Sequence, residues 1–226
     1  MRAVALLSSG MDSVVAATLA AEEGSLVLAL TFDYGQRAAE REAEYASRVC
    51  SVLGVEHRVL RLEWLEEITQ TALVSGGELP ELSEEELDSE AAQESARRVW
   101  VPNRNGVFVN IAASFAEALE CEAVVVGFDA EEAATFPDNS SAYVEAANRA
   151  LGFSTLRGVR VHAPLVGMSK AQIAELGLKI GAPLEWSWSC YRGDEKPCLR
   201  CESCMRRARA FRSIGRRDPL LERLGL

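Results

Sequence analysis

The sequence predicts an α/β protein with a parallel sheet and a small metal-binding subdomain at its C-terminal end. Three observations lead there. Short apolar runs alternate with helix-like stretches along most of the 226 residues, as in strands joined by crossover helices. The first run, residues 4–7, breaks at Ser8-Ser9-Gly10 and passes directly into a helix-capable segment. Near the other end, Cys190, Cys198, Cys201 and Cys204 place four thiols within fifteen residues.

Strands are expected at residues 3–7, 26–32, 57–60, 123–127 and 159–162, where apolar residues run without a helical period. Helices are expected near residues 12–23, 37–53, 106–119 and 139–151. A further short helix, 169–178, follows the break at 164–167 and is capped by Ser169. The first strand has the most to say. A buried strand feeding a Ser/Gly turn into a helix start offers an anion the turn's N–H groups and the positive end of the helix dipole. Neither GxxxxGK[ST] nor GxGxxG occurs there, and a plain capped turn is the alternative. In open parallel sheets ligands sit beyond the carboxyl ends of the strands. Phe32-Asp33-Tyr34-Gly35-Gln36-Arg37 and Gly127-Phe128-Asp129 occupy two more such ends.

The composition is that of an ordinary globular chain, with 48 % hydrophobic and 26 % charged residues. A formal charge of −10 argues against a general nucleic-acid binder, which needs clustered cations. No secretion signal is visible and no apolar run approaches the ~18 residues of a membrane span, so a cytoplasmic protein without a membrane partner is expected. Charge is unevenly spread. Residues 63–94 carry eleven acids and no Lys or Arg, which reads as a solvated loop or helical insertion. Residues 190–217 carry nine Lys or Arg against three acids, a nucleic-acid patch or the wall of a site for anions.

The four cysteines follow the spacing C-x7-C-x2-C-x2-C, which suits a tetrahedral zinc site with four thiolate ligands. An iron–sulfur cluster, a redox pair and coincidence compete with zinc. A redox pair needs two cysteines, and the common cluster spacings differ from this one. With all four positions filled by protein, the metal is expected to be structural. Cys50 and Cys121 lie outside the set and read as buried hydrophobes, and His57 and His162 as core or edge histidines. The chain is expected to divide into residues 1–185 and a helical zinc-binding subdomain, 186–226.

The turn Ser8-Ser9-Gly10-Met11-Asp12-Ser13 resembles the SGGxDS loop of ATP pyrophosphatases, with Ser9 in place of the first glycine. Taken with the cysteines, nearly the whole chain resembles the 7-cyano-7-deazaguanine synthase (QueC) family. The resemblance continues through the run from Thr31 to Arg37, Val101-Pro102-Asn103-Arg104-Asn105, Val126-Gly127 and Phe136-Pro137-Asp138. It extends to Pro164-Leu165, Ser169-Lys170-Ala171, Trp188-Ser189-Cys190-Tyr191 and Glu195-Lys196-Pro197-Cys198. Besides Ser9, Ala38 stands where the family often has histidine, and Phe136-Pro137-Asp138-Asn139 replaces the commoner Tyr-Pro-Asp-Cys.

The resemblance implies a Rossmann-like, adenine nucleotide alpha hydrolase-like sheet and a homodimer. It also implies conversion of 7-carboxy-7-deazaguanine, ammonia and ATP into the nitrile preQ0, with one structural zinc per chain and Mg²⁺ accompanying ATP. No stable nucleic-acid partner is expected. The ATP contacts it implies are Leu7, Ser8, Ser9, Gly10, Met11, Asp12, Ser13, Val14, Val15, Ala16 and Ala17, with Ser8, Gly10 and Ser13 at the phosphates. Asp12 is expected to help hold Mg²⁺, against a helix-start carboxylate, and Lys170 to neutralise phosphate, against a solvated lysine. Arg37 and Arg104 would hold the substrate carboxylate or phosphates, with exposed arginines as the alternative, and Asp138 would read the purine-like N–H edge. The metal ligands would be Cys190, Cys198, Cys201 and Cys204. Two rivals remain. One is an ATP pyrophosphatase that adenylates a tRNA base for thiolation. The other is a nucleic-acid-binding zinc module using Arg206, Arg207, Arg209 and Arg212.

Overall fold

The computed structural model describes residues 1–74 and 76–226. In chain order the first elements are β1 (Arg2–Leu6), α1 (Met11–Glu23), β2 (Ser25–Asp33), α2 (Ala39–Leu53) and β3 (Glu56–Arg61). After α3 (Glu63–Ile68) and α4 (Glu90–Arg98) come α5 (Arg104–Ala118), β4 (Ala123–Val125) and α6 (Ala130–Ala133). The chain ends with α7 (Ser141–Ser154), β5 (Arg160–His162), α8 (Lys170–Lys179), α9 (Glu202–Ser213) and α10 (Pro219–Leu224). The strands form one parallel sheet in the order β3-β2-β1-β4-β5. Chain direction across the sheet therefore reverses between β1 and β4, and a crevice opens beyond their carboxyl ends.

Alternation along β1 sorts its side chains. Val4 joins the apolar layer under α5, with Leu28, Leu30, Phe32, Ala112 and Val124. Ala3 and Ala5 face the opposite layer, where α1 and α8 supply Val14, Val15, Ile173 and Ala174. The small residues on that face let α1 lie close against the sheet, so α1 is apolar almost all round. At the other end of the chain a third cluster joins Trp188, Cys190, Cys201 and Cys204 to Ala38 and Tyr45 near α2.

Two features depart from the expectations. The fourth strand stops at Val125 instead of running to residue 127. The cause is close approach: a Cβ on Gly127 would lie 2.6 Å from the Ser13 nitrogen at the start of α1. Of the two readings of the acidic run, the helical insertion is the one found, but it is packed down rather than merely solvated. Leu79 and Leu87 are buried, and the Glu84–Asp88 turn packs between α9 and α4. Asp88 binds Arg209 at 2.6 Å, Glu81 binds Arg192 at 2.7 Å and Arg200 at 3.0 Å, and Glu84 binds Arg212. Beneath them Arg206 joins Glu202 at 2.9 Å and the Leu87 carbonyl at 3.0 Å, while Ser95 donates to Glu202. The acidic and basic stretches are two halves of one contact.

Candidate active site

The loop after β1 closes on itself. Its residue in the left-handed region is Ser9, with φ 62°, whereas Gly10 has an ordinary φ of −56°. Ser13 Oγ donates to the Gly10 carbonyl at 2.9 Å, and Ser8 Oγ lies 3.3 Å from Ser13 Oγ. Among the described residues no side chain caps α1, which leaves its first-turn N–H groups open to a ligand. A cavity of about 230 Å³ begins here and runs to Trp100, Phe136 and Asp138.

Six of the eleven loop and helix residues expected at ATP line this cavity: Leu7, Ser8, Gly10, Met11, Asp12 and Ser13. Ser9 lies behind the loop, fully buried. Val14, Val15, Ala16 and Ala17 turn into the core, because the helix that carries the loop must itself be anchored to the sheet.

Asp12 meets the turn after β4 across the crevice. Asp129 caps α6, its Oδ1 accepting from the N–H groups of Glu131 and Glu132 at 2.9 and 3.0 Å. Its other oxygen lies 2.9 Å from Lys170 Nζ, which also binds Asp12 at 2.6 Å and Glu132 at 2.7 Å. The lysine expected to be either functional or solvated is 6 % exposed. Glu131 accepts from the Lys170 backbone N–H at 2.8 Å and pins the start of α8. Burial opposes the charge on Lys170, yet Asp12, Glu132 and Asp129 together hold its pKa well above that of a free amine. Burial raises Asp12 and brings Asp129 up to about 7, while on Glu132 burial is outweighed by Lys170, Arg104 and Arg206 together, which lower the pKa. Three carboxylates thus share one cation, and their oxygens lie within 4.8 Å of one another, close enough to hold a metal ion.

At the far end, Arg104 lines the cavity and donates to the Tyr34 hydroxyl at 3.2 Å. Burial works against its charge, but Tyr34, Asp138 and Glu132 sustain it. Asp138 also lines the cavity, its pKa raised by burial against the pull of Arg104. Arg37 is placed differently. Its guanidinium is exposed and donates to the Gly77 carbonyl outside the cavity lining. Flat aromatic walls complete this end: Phe32 stacks on Phe108 with centroids 4.2 Å apart, and Trp100 on Phe136 at 6.0 Å. Glu132 and Glu42 also line the cavity, and neither was singled out by the sequence. Glu132 carried one signal, lying three residues after the helix-capping Asp129.

The four cysteine sulfurs converge within 4.8 Å of one another, an all-sulfur set able to hold a metal ion. Backbone N–H groups of Arg192 and Cys198 donate to Cys190 Sγ at 3.4 Å, and that of Cys201 to Cys198 Sγ at 3.3 Å. Such donors favour thiolates, the form that binds metal. Cys50 and Cys121 are buried, and burial pushes the Cys50 thiol up to about 12. Among the described residues no helix is long and apolar enough to cross a membrane.

The family model described as "Queuosine biosynthesis protein QueC" matches residues 2–215. The chain is 58 % identical to the 7-cyano-7-deazaguanine synthase of Methanosarcina barkeri over 231 residues, covering all of both chains. Identity to the Methanosarcina mazei protein of that name is 55 %, again over the full length of both. The counterpart in Pelotomaculum thermopropionicum is 54 % identical over 217 residues, 95 % of this chain and 98 % of that one.

Proposed function

The chain belongs to the QueC family of queuosine biosynthesis proteins, and from that premise we propose that it joins ammonia to 7-carboxy-7-deazaguanine at the expense of ATP, making 7-cyano-7-deazaguanine. It acts as a ligase forming C–N bonds. A carboxylate is a poor electrophile, so one of its oxygens first attacks the α-phosphorus of ATP, giving an acyl adenylate and pyrophosphate. Ammonia adds to the activated carbon, loses a proton and displaces AMP to leave an amide. The amide oxygen then attacks the α-phosphorus of a second ATP and expels pyrophosphate, and departure of that AMP with the remaining N–H protons leaves the nitrile. Both carboxylate oxygens depart on AMP.

The observation that carries this reading is the convergence of Lys170, Asp12, Asp129 and Glu132 beside the loop after β1, in a cavity also lined by Arg104 and stacked aromatic pairs. The first-turn N–H groups of α1, with Ser8 and Ser13, receive the phosphates. Asp12, Asp129 and Glu132 would hold Mg²⁺, which would supply charge neutralisation and orientation to the phosphates. Lys170 follows the charge that grows on the α-phosphate. Arg104 binds the substrate carboxylate, Asp138 accepts from the N–H edge of the base, and the aromatic pairs hold it flat. The protein's work is alignment and charge stabilisation. Zinc suits the cysteine centre, where four protein sulfurs leave no position for a reacting water and give the metal a structural role.

Incubation with ATP, ammonia and 7-carboxy-7-deazaguanine, resolved by nucleotide chromatography and mass, is expected to yield two AMP per nitrile. Lys170→Ala is expected to slow AMP formation by about 10²-fold or more, with a smaller effect on ATP binding. ADP as the main product, or AMP formed only when tRNA is supplied, overturns the assignment.

A further inference from the structure

The loop after β1 is held from two sides. Within the sheet, Thr31 Oγ1 donates to the Leu7 carbonyl at 2.6 Å, and the Val14 N–H to the Gly10 carbonyl at 3.0 Å. The Ser9 carbonyl, between them, is bound from elsewhere: the backbone N–H of Trp188 donates to it at 2.8 Å. Trp188 lies two residues before Cys190, and 179 positions along the chain from Ser9.

That bond fixes a peptide plane. In a trans peptide the carbonyl and the following N–H point in opposite directions. With the Ser9 carbonyl drawn toward Trp188, the Gly10 N–H points the other way, toward Ser8 Oγ at 3.4 Å and into the cradle where phosphate would lie. Ser9 adopts its left-handed φ of 62° to make this turn, although a serine gains nothing from that conformation by itself.

The donor is rigidly presented. The Trp188 indole N–H donates to the Cys190 carbonyl at 2.8 Å, and its ring packs at 5.1 Å from that of Tyr45. Arg207, clamped by Asp218 at 2.6 and 2.8 Å, donates to Ser187 Oγ at 2.8 Å and Ser189 Oγ at 3.3 Å. Trp188 itself is 2 % exposed, in one cluster with Cys190, Cys201 and Cys204.

We propose that the Trp188 amide, presented by the four-cysteine centre, is a positioning group that sets the Ser9–Gly10 peptide for pyrophosphate binding. The centre then does more than stabilise its own segment, because it orients a loop remote in sequence. The proposal rests on the placement of ATP at this loop, and its test separates the two.

In the zinc-loaded full chain, Trp188 is replaced by indole-3-lactic acid through nonsense suppression, which keeps the indole and turns the amide N–H into an ester oxygen. The dissociation constant of inorganic pyrophosphate, measured by calorimetry, is expected to rise about tenfold, equivalent to about 1.4 kcal/mol. Zinc content and circular dichroism should be unchanged, and suppression with tryptophan itself should restore binding. An unchanged constant in the ester protein overturns the positioning role and leaves the placement of ATP standing. Absence of pyrophosphate binding in the unmodified protein overturns both. Should the ester protein fail to fold, hydrogen exchange in the unmodified zinc-loaded protein decides. Saturating pyrophosphate is expected to slow exchange of the Trp188 amide about fivefold or more, within the usual range of coupling between sites. No change at that amide overturns the proposal.

Discussion

Ser9 combines two costs. Its φ of 62° is a conformation that L-residues enter at a penalty of roughly 1–2 kcal/mol, and its hydroxyl is buried without a hydrogen-bond partner among the described residues. Gly10, the residue the motif draws attention to, has open room by comparison: a Cβ there would meet Ser8 Oγ at 3.3 Å and little else. Ser9→Gly is therefore expected to raise stability by about 1 kcal/mol, read by thermal or urea unfolding, and to keep AMP formation. A loss of activity with stability unchanged would show that the hydroxyl serves the reaction. The motif revealed that a glycine was missing, but only the backbone conformation shows what its absence costs.

The arginines of α9 show how an element can mislead when read alone. Arg206, Arg207, Arg209 and Arg212 lie in a chain segment with local positive charge, and in isolation they would suit phosphates. In the fold, Arg206 and Arg207 are buried against Glu202 and Asp218. Arg209 and Arg212 are engaged by Asp88 and Glu84. Exposed pairs of this kind contribute little each, so the acidic strap is anchored chiefly by Leu79, Leu87 and the buried Ser95–Glu202–Arg206 network. The protein is expected to give no shift of tRNA or duplex DNA at micromolar concentration and about 150 mM salt. A salt-resistant complex with tRNA would bring back the base-thiolating reading.

At the scale of the whole molecule, burial of carboxylates makes stability depend on pH. Burial raises Glu42 from 4.5 to about 7, against the Gln36 hydrogen bond and Arg104, which lower it. Below pH 4.5 both folded and unfolded chains hold this proton, and the group has no effect. As pH rises from about 4.5 to about 7, the unfolded chain ionises freely while the folded chain resists, so stability falls and then levels off. Self-repulsion from the net charge of −10 acts in the same direction. Glu42→Gln is expected to remove this group's share of the decline, leaving that of Asp129, which is also raised to about 7. Melting temperatures from pH 4 to 8 check this, and an unchanged slope in the variant would refute it.

The parallel α/β sheet, the Ser/Gly turn after β1 and the four-thiol centre can all be read from the linear chain, because each is written in residues close together. Strand and helix periods need only a dozen residues, and the ligand spacing of the cysteines spans fifteen. Packing decided the rest. Lys170 and Asp12 are 158 positions apart, and nothing local says that their side chains meet at 2.6 Å or that Asp129 and Glu132 join them. Arg37 and Arg104 look alike in sequence, and only the path of the backbone turns one outward to Gly77 and the other toward Tyr34 and the cavity. The pairing of the acidic strap with α9, and of Trp188 with Ser9, likewise exists only once the chain has closed on itself. Local order follows from short-range stereochemistry, while a site assembled from the ends of several strands depends on contacts that the linear sequence does not order.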